Sequence, residues 1–172
     1  MILKGFKEKS IKKYFNKLLD DRADLNGAKP IESLGVIVDW DQAGNLEAFE
    51  TLAKTLHIHN VKFKLIFFSQ DKDAQESLTY PCFNEKDFDW KGHVKNTDLQ
   101  TFLNTPFDGL ISYYFKDDLH LKLLTALSKA EFKIGVLQEE PRLNDLIIAS
   151  DPKAFQVFKN ELLKYLSILK RI

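Results

Sequence analysis

Leu34–Val38 reads LGVIV, an unbroken apolar run that follows Pro30 and ends at Asp39. A run this short, rich in β-branched residues, reads as a strand buried on both faces. Four more such runs follow: Phe63–Phe68 (FKLIFF), Leu110–Tyr114 (LISYY), Phe132–Leu137 (FKIGVL) and Leu143–Ala149 (LNDLIIA). Helical patterns separate most of them. Leu46–His57 follows the first run, with Asn45 as N-cap and Glu47 in the first turn, where the helix dipole favours a carboxylate. Thr97–Leu103, capped by Thr97 and ended by Pro106, precedes the third. Asp117–Lys129, with Leu119, Leu123, Leu124 and Leu127 on one face, joins the third to the fourth. Ser150-Asp151-Pro152 opens a last helix to Arg171, with Phe155, Phe158, Leu162, Tyr165, Leu166 and Leu169 on its apolar face. Strands alternating with helices predict an α/β protein with one open, doubly wound, mostly parallel sheet of about five strands, Rossmann-like or flavodoxin-like. The expected strand order is 2-1-3-4-5, with any site at the carboxyl ends of the strands.

Upstream of the first strand, Phe6–Asp21 has helical periodicity in Ile11, Tyr14, Phe15, Leu18 and Leu19. Lys7, Lys9, Lys12, Lys13 and Lys17 fill most of its other face. Asn26-Gly27 and Pro30 break the chain after it. Residues 1–29 therefore read as a basic amphipathic helix and linker, and 30–172 as the α/β domain. Net charge is zero, yet residues 1–22 carry seven basic and three acidic side chains, and 159–172 four basic and one acidic. Basic ends on an acidic middle allow two readings. The ends lie on the protein's own acidic body, or they meet an acidic partner. For the N-terminal helix that partner is a protein, an RNA, or an anionic membrane touched peripherally.

Several classes are disfavoured. Cys82 is the single cysteine, so there is no internal disulfide and no multi-cysteine metal site. His57 and His59 fall at a helix end and do not complete a four-ligand zinc site. GxGxxG, GxxxxGK[ST] and GxSxG are absent, and no cofactor or metal is expected. Cys82 and His93 lack the surroundings of a catalytic dyad. No signal peptide or membrane-spanning run is visible, which makes a cytoplasmic location the expectation.

Two places stand out as candidate sites. Asp39 and Asp41, in VIVDWDQAG, end the first strand, where paired carboxylates can hold Mg²⁺ for phosphate chemistry. The other reading of the pair is turn and helix capping. The irregular stretch Gln70–Asn96 contains DFDWKG, whose Phe88 and Trp90 are either anchors tucked onto the sheet or an exposed contact.

VIVDWDQAG resembles the first motif of haloacid-dehalogenase-type phosphohydrolases. The resemblance implies Asp39 as nucleophile, Asp41 as acid/base, Ser69 on the phosphate, and Asp117 and Asp118 as a distal acidic pair. Ala43 stands where that motif has Thr or Val, and the phosphate lysine would be Lys129 or Lys133. Residues 107–136 also resemble, at the level of fold, part of an ADP-heptose-type glycosyltransferase domain. A third resemblance spans nearly the whole chain. KGFKEKSIKKYFNKLL, DFDWKG, FDGLISYY, SKAEFKIGV, RLNDLII and FKNELLKYLSILK are similar to a small bacterial family of α/β proteins known only as a domain of unknown function. It implies a fold and no activity. The leading functional expectation is a non-catalytic module that binds a macromolecule through the basic helix or through Phe88 and Trp90. The alternatives are a Mg²⁺-dependent phosphoryl-transfer enzyme using Asp39 and Asp41, and a small-ligand binder at the carboxyl edge of the sheet.

Overall fold

A computed structural model describes residues 2–23, 25, 27–42, 46–71 and 80–172. Among these residues six strands form one sheet: β1 Leu34–Asp39, β2 Phe63–Phe68, β3 Cys82–Phe83, β4 Gly109–Tyr113, β5 Phe132–Gly135 and β6 Leu146–Ile147. Their order is β3-β2-β1-β4-β5-β6, and every pair is parallel. The five expected strands take the expected order. Cys82–Phe83 adds a sixth beside β2, inside the stretch that reads as irregular.

Among the described residues five helices flank the sheet: α1 Ile2–Asp20, α2 Glu47–Thr55, α3 Thr97–Asn104, α4 Leu119–Leu127 and α5 Phe155–Ile168. Strand residues alternate between the two faces, as the pleat requires. Ile37, Ile66, Phe68, Leu110 and Tyr114 pack with Ile11, Phe15 and Leu19 of α1, with Leu99, Phe102 and Leu103 of α3, and with Leu121, Leu123 and Leu124 of α4. Val36, Val38, Leu65, Phe67, Ile111, Tyr113 and Ile134 pack with Phe49 and Leu52 of α2 and with Phe158, Leu162 and Leu166 of α5. Burial on both sides explains why the strands are continuous apolar runs.

Some local signals resolve differently from the sequence reading. Asn96, rather than Thr97, caps α3, its side chain accepting from the N–H groups of Asp98 and Leu99. Asp151 caps a turn by accepting from the Lys153 N–H, and α5 starts later, at Phe155. Tyr165 and Leu169 of the expected apolar face are exposed. Asn26, Ala43 and Asn45 lie outside the described residues.

Candidate functional site

Strand order reverses between β1 and β4, so loops leaving their carboxyl ends diverge to opposite sides and open a crevice. Asp39 ends β1 and is buried. Burial is the main cause that pushes its carboxyl above the usual range, with the Asp41 and Asp118 charges adding to it against Lys116 and a hydrogen bond from Asp41. That bond runs from the Asp41 N–H to Asp39 Oδ1 at 3.2 Å. The carboxylate thus closes a turn on its own chain, while Asp41 is exposed. Ser69, one residue past β2, is buried; its N–H donates to the Phe83 carbonyl and its Oγ accepts from the Asp71 N–H. Among the described residues no group of three or more His, Cys, Asp or Glu side chains is placed to hold a metal ion. On the α2/α5 side of the crevice, a cleft of about 470 Å³ is lined by Asp41, Gln42, Phe49, Tyr113, Lys153 and Phe155.

A larger groove, about 920 Å³, opens on the α1/α4 side. Its floor is built from the start of α4. Asp118 caps that helix, its Oδ1 accepting from the N–H groups of His120 and Leu121 at 2.8 and 3.1 Å. The cap turns the His120 ring between Phe68, stacked at 6.2 Å, and Phe88 at 5.2 Å. Burial lowers the His120 pKa, Asp118 and Glu85 oppose the shift, and Lys7 reinforces it. His120 Nε2 is buried and has no hydrogen-bond partner among the described residues.

One wall is the segment that carries DFDWKG. Asn84 caps the 3-10 turn Glu85–Asp87 through a reciprocal pair of bonds, Lys86 N–H to Asn84 and Asn84 N–H to Asp87. Phe88 is buried and bridges Val94. Between them Asp89 accepts from the N–H groups of Lys91 and His93 and from the His93 ring. Gly92 allows this tight turn with φ of 92°, close against Tyr14 and Leu123. The turn throws Trp90 outward, 62% exposed, with Lys91 Nζ 4.9 Å from its ring centre. The sequence alternatives for this segment therefore divide: Phe88 anchors it, and Trp90 faces solvent.

The opposite wall is the first turns of α1, where Leu3 and Phe6 are 85% and 65% exposed. The helix carries Lys7, Lys9, Lys12, Lys13 and Lys17. Lys12 pairs with Glu8 at 2.7 Å. Lys7 is half-buried at the groove, while Lys9, Lys13 and Lys17 are exposed and make no ion pair among the described residues. Other basic residues near the chain ends do fold back. Arg22 pairs with Asp145, and Arg171 donates to the carbonyls of Gly27 and Lys29. Sequence reasoning did not single out Leu3, Phe6 or His120. Leu3 and Phe6 precede the periodic part of α1, and His120 looks like an ordinary first-turn residue.

No helix of the described residues is long and apolar enough to cross a membrane. No curated protein matches the chain in sequence. A model of a family of unknown function, DUF6913, matches residues 7–169, and the chain belongs to that family.

Proposed function

We propose that the protein is a non-catalytic macromolecule-binding module that docks its partner in the groove between α1 and the start of α4. One observation carries this reading. Leu3, Phe6 and Trp90 are large, apolar and exposed, and they converge on a single groove. Scattered apolar residues on a surface are ordinary, but a convergent patch around a concavity marks an interaction site. Trp is also among the side chains that dominate binding energy when a partner covers them. The lysines of α1 add a long-range attraction for an acidic partner.

The test is a photo-crosslinking residue at position 90, introduced into the full chain in its native cells, with Val61 as a control site on another exposed surface. A partner crosslinked from position 90 only is then purified. Its affinity for the Trp90→Ala and Phe6→Ala proteins should fall about tenfold or more. No crosslinked partner, or one indifferent to both substitutions, rejects the reading.

A second reading, a small-ligand site, is favoured by the cleft at the strand-order reversal. There Asp41, Gln42 and Lys153 face aromatic walls of Phe49, Tyr113 and Phe155. Ligand-induced stabilisation abolished by Phe155→Ala would move the function to that side of the sheet.

A further inference from the structure

The solvent-facing stripe of α1 changes character along its length. Leu3, Phe6, Lys9, Lys13 and Lys17 are spaced by three or four residues, lie along one side of the helix, and are all exposed. The first two are apolar and border the groove; the last three are cations without an ion pair among the described residues. Around the apolar end the charge is mixed: Glu8, Glu85, Asp117 and Asp118 line the same groove as Leu3, Phe6 and Trp90, together with Lys4 and Lys7. Glu8 and Asp117 pair with Lys12 and Lys122, which leaves Glu85 and Asp118 without a Lys or Arg partner among the described residues.

We infer that the partner is a protein segment with an uncharged, apolar end seated against Leu3, Phe6 and Trp90, followed by an acidic run along Lys9, Lys13 and Lys17. This inference rests on the groove being the docking surface and deepens it. Charge complementarity selects the occupant. A nucleic acid carries a negative charge at every unit, so bases stacked on Trp90 would bring phosphates beside Glu85 and Asp118, the two groove carboxylates that no Lys or Arg neutralises among the described residues. A membrane-lying helix needs its apolar face along its whole length with cations at the flanks. In α1 the continuous apolar face, Ile11, Phe15 and Leu19, is already buried in the core. A polypeptide alone can be neutral over one block and acidic over the next. From Phe6 to Lys17 the stripe runs about 16 Å along the helix axis, the length of about five extended residues.

The probe is a synthetic peptide of about ten residues, a Leu/Phe block joined to a Glu block, in both block orders. Its control alternates the same residues. Fluorescence anisotropy of the dye-labelled peptide reports binding to the full chain and to each variant. One of the blocked peptides should bind about tenfold tighter than the alternating one. Lys9→Gln/Lys13→Gln/Lys17→Gln should remove that advantage, a loss matching three exposed ion pairs. These positions are exposed, so the variant keeps its fold, checked by circular dichroism. Equal affinity for blocked and alternating peptides, or no binding of either blocked peptide, overturns the inference. So does tighter binding of oligouridylate or of phosphatidylserine vesicles that depends on the same lysines. If those ligands bind in a Trp90-dependent way the groove reading survives and only the partner assignment fails. If Trp90→Ala and Phe6→Ala alter no interaction, the groove reading itself fails.

Discussion

His120 shows how one side chain can tie the groove to pH. Its ring lies between Phe68 and Phe88, and its buried Nε2 has no hydrogen-bond partner among the described residues. Burial disfavours the imidazolium, and the N-terminal end of α4 disfavours it further. Asp118 and Glu85 pull the other way and Lys7 pushes with the burial; the net shift is downward from 6.5. Below about 6.5 the unfolded chain then binds the proton that the folded chain refuses, so this contribution to stability falls as pH falls through that window. His120→Phe keeps an aromatic ring between its neighbours and removes the titration. Urea midpoints at pH 7.5 and 5.5 should drop more for the native sequence than for His120→Phe. Equal drops would mean that the histidine titrates as it does unfolded. Asp118 works on the same residues through the backbone, and Asp118→Ala should cost about 1 kcal/mol in chemical denaturation through loss of the cap.

At the scale of elements, the two ends of α4 are finished by different means. Its start has Asp118; its end has no glycine, and Lys133 reaches over from β5. Lys133 is buried, with Nζ donating to the carbonyls of Thr125 and Ala126 at 2.8 and 3.2 Å. Burial, helped by the Arg22 charge and opposed by Asp145, lowers its pKa from 10.5 to about 8. Between those values the unfolded chain holds a proton that the folded chain has released, so stability rises with pH by at most about 1.4 kcal/mol per unit. Denaturation curves at pH 8 and 10 should show this gain, and Lys133→Met should lack it. The same strand ends at Gly135, where an added Cβ would sit 2.7 Å from Asn144 Cγ. Asn144 is buried and short, so Gly135→Ala should destabilise by about 1–3 kcal/mol. The long strands were legible because their residues are apolar on both faces, and α4 because Leu119, Leu123 and Leu124 follow its period. β3 was not. Two residues after Pro81 carry no period, and only pairing to Phe67 and Ser69 makes Cys82–Phe83 a strand. The groove was half legible. The α1 lysines and DFDWKG were visible in the sequence, but the exposure of Trp90 beside a buried Phe88 depends on the Asp89–Gly92 turn seen only in three dimensions.

For the whole molecule, the question is whether α1 is an attached module or part of the cover of the sheet. Its one side supplies Ile11, Phe15 and Leu19 to the same core as Leu121, Leu123 and Leu124 of α4, and Lys122 lies 5.6 Å from the centre of the Phe15 ring. Its other side carries the lysine stripe. Substitutions on the two sides should separate cleanly. Phe15→Ala creates a cavity and should cost about 3–5 kcal/mol, whereas Lys13→Gln should change stability by less than about 0.5 kcal/mol. Removing residues 1–22 would uncover the side of α4 against which α1 packs and take Ile11, Phe15 and Leu19 out of the shared core. The truncated chain is therefore expected to bind ANS and to lose near-ultraviolet dichroism while keeping secondary structure, the signature of lost packing. Native near-ultraviolet dichroism with a cooperative melt after truncation would instead establish residues 1–29 and 30–172 as separable units. Loss of packing on truncation would make α1 an integral part of the fold, and its exposed stripe would then present Leu3, Phe6 and the lysines at a fixed spacing to whatever docks there.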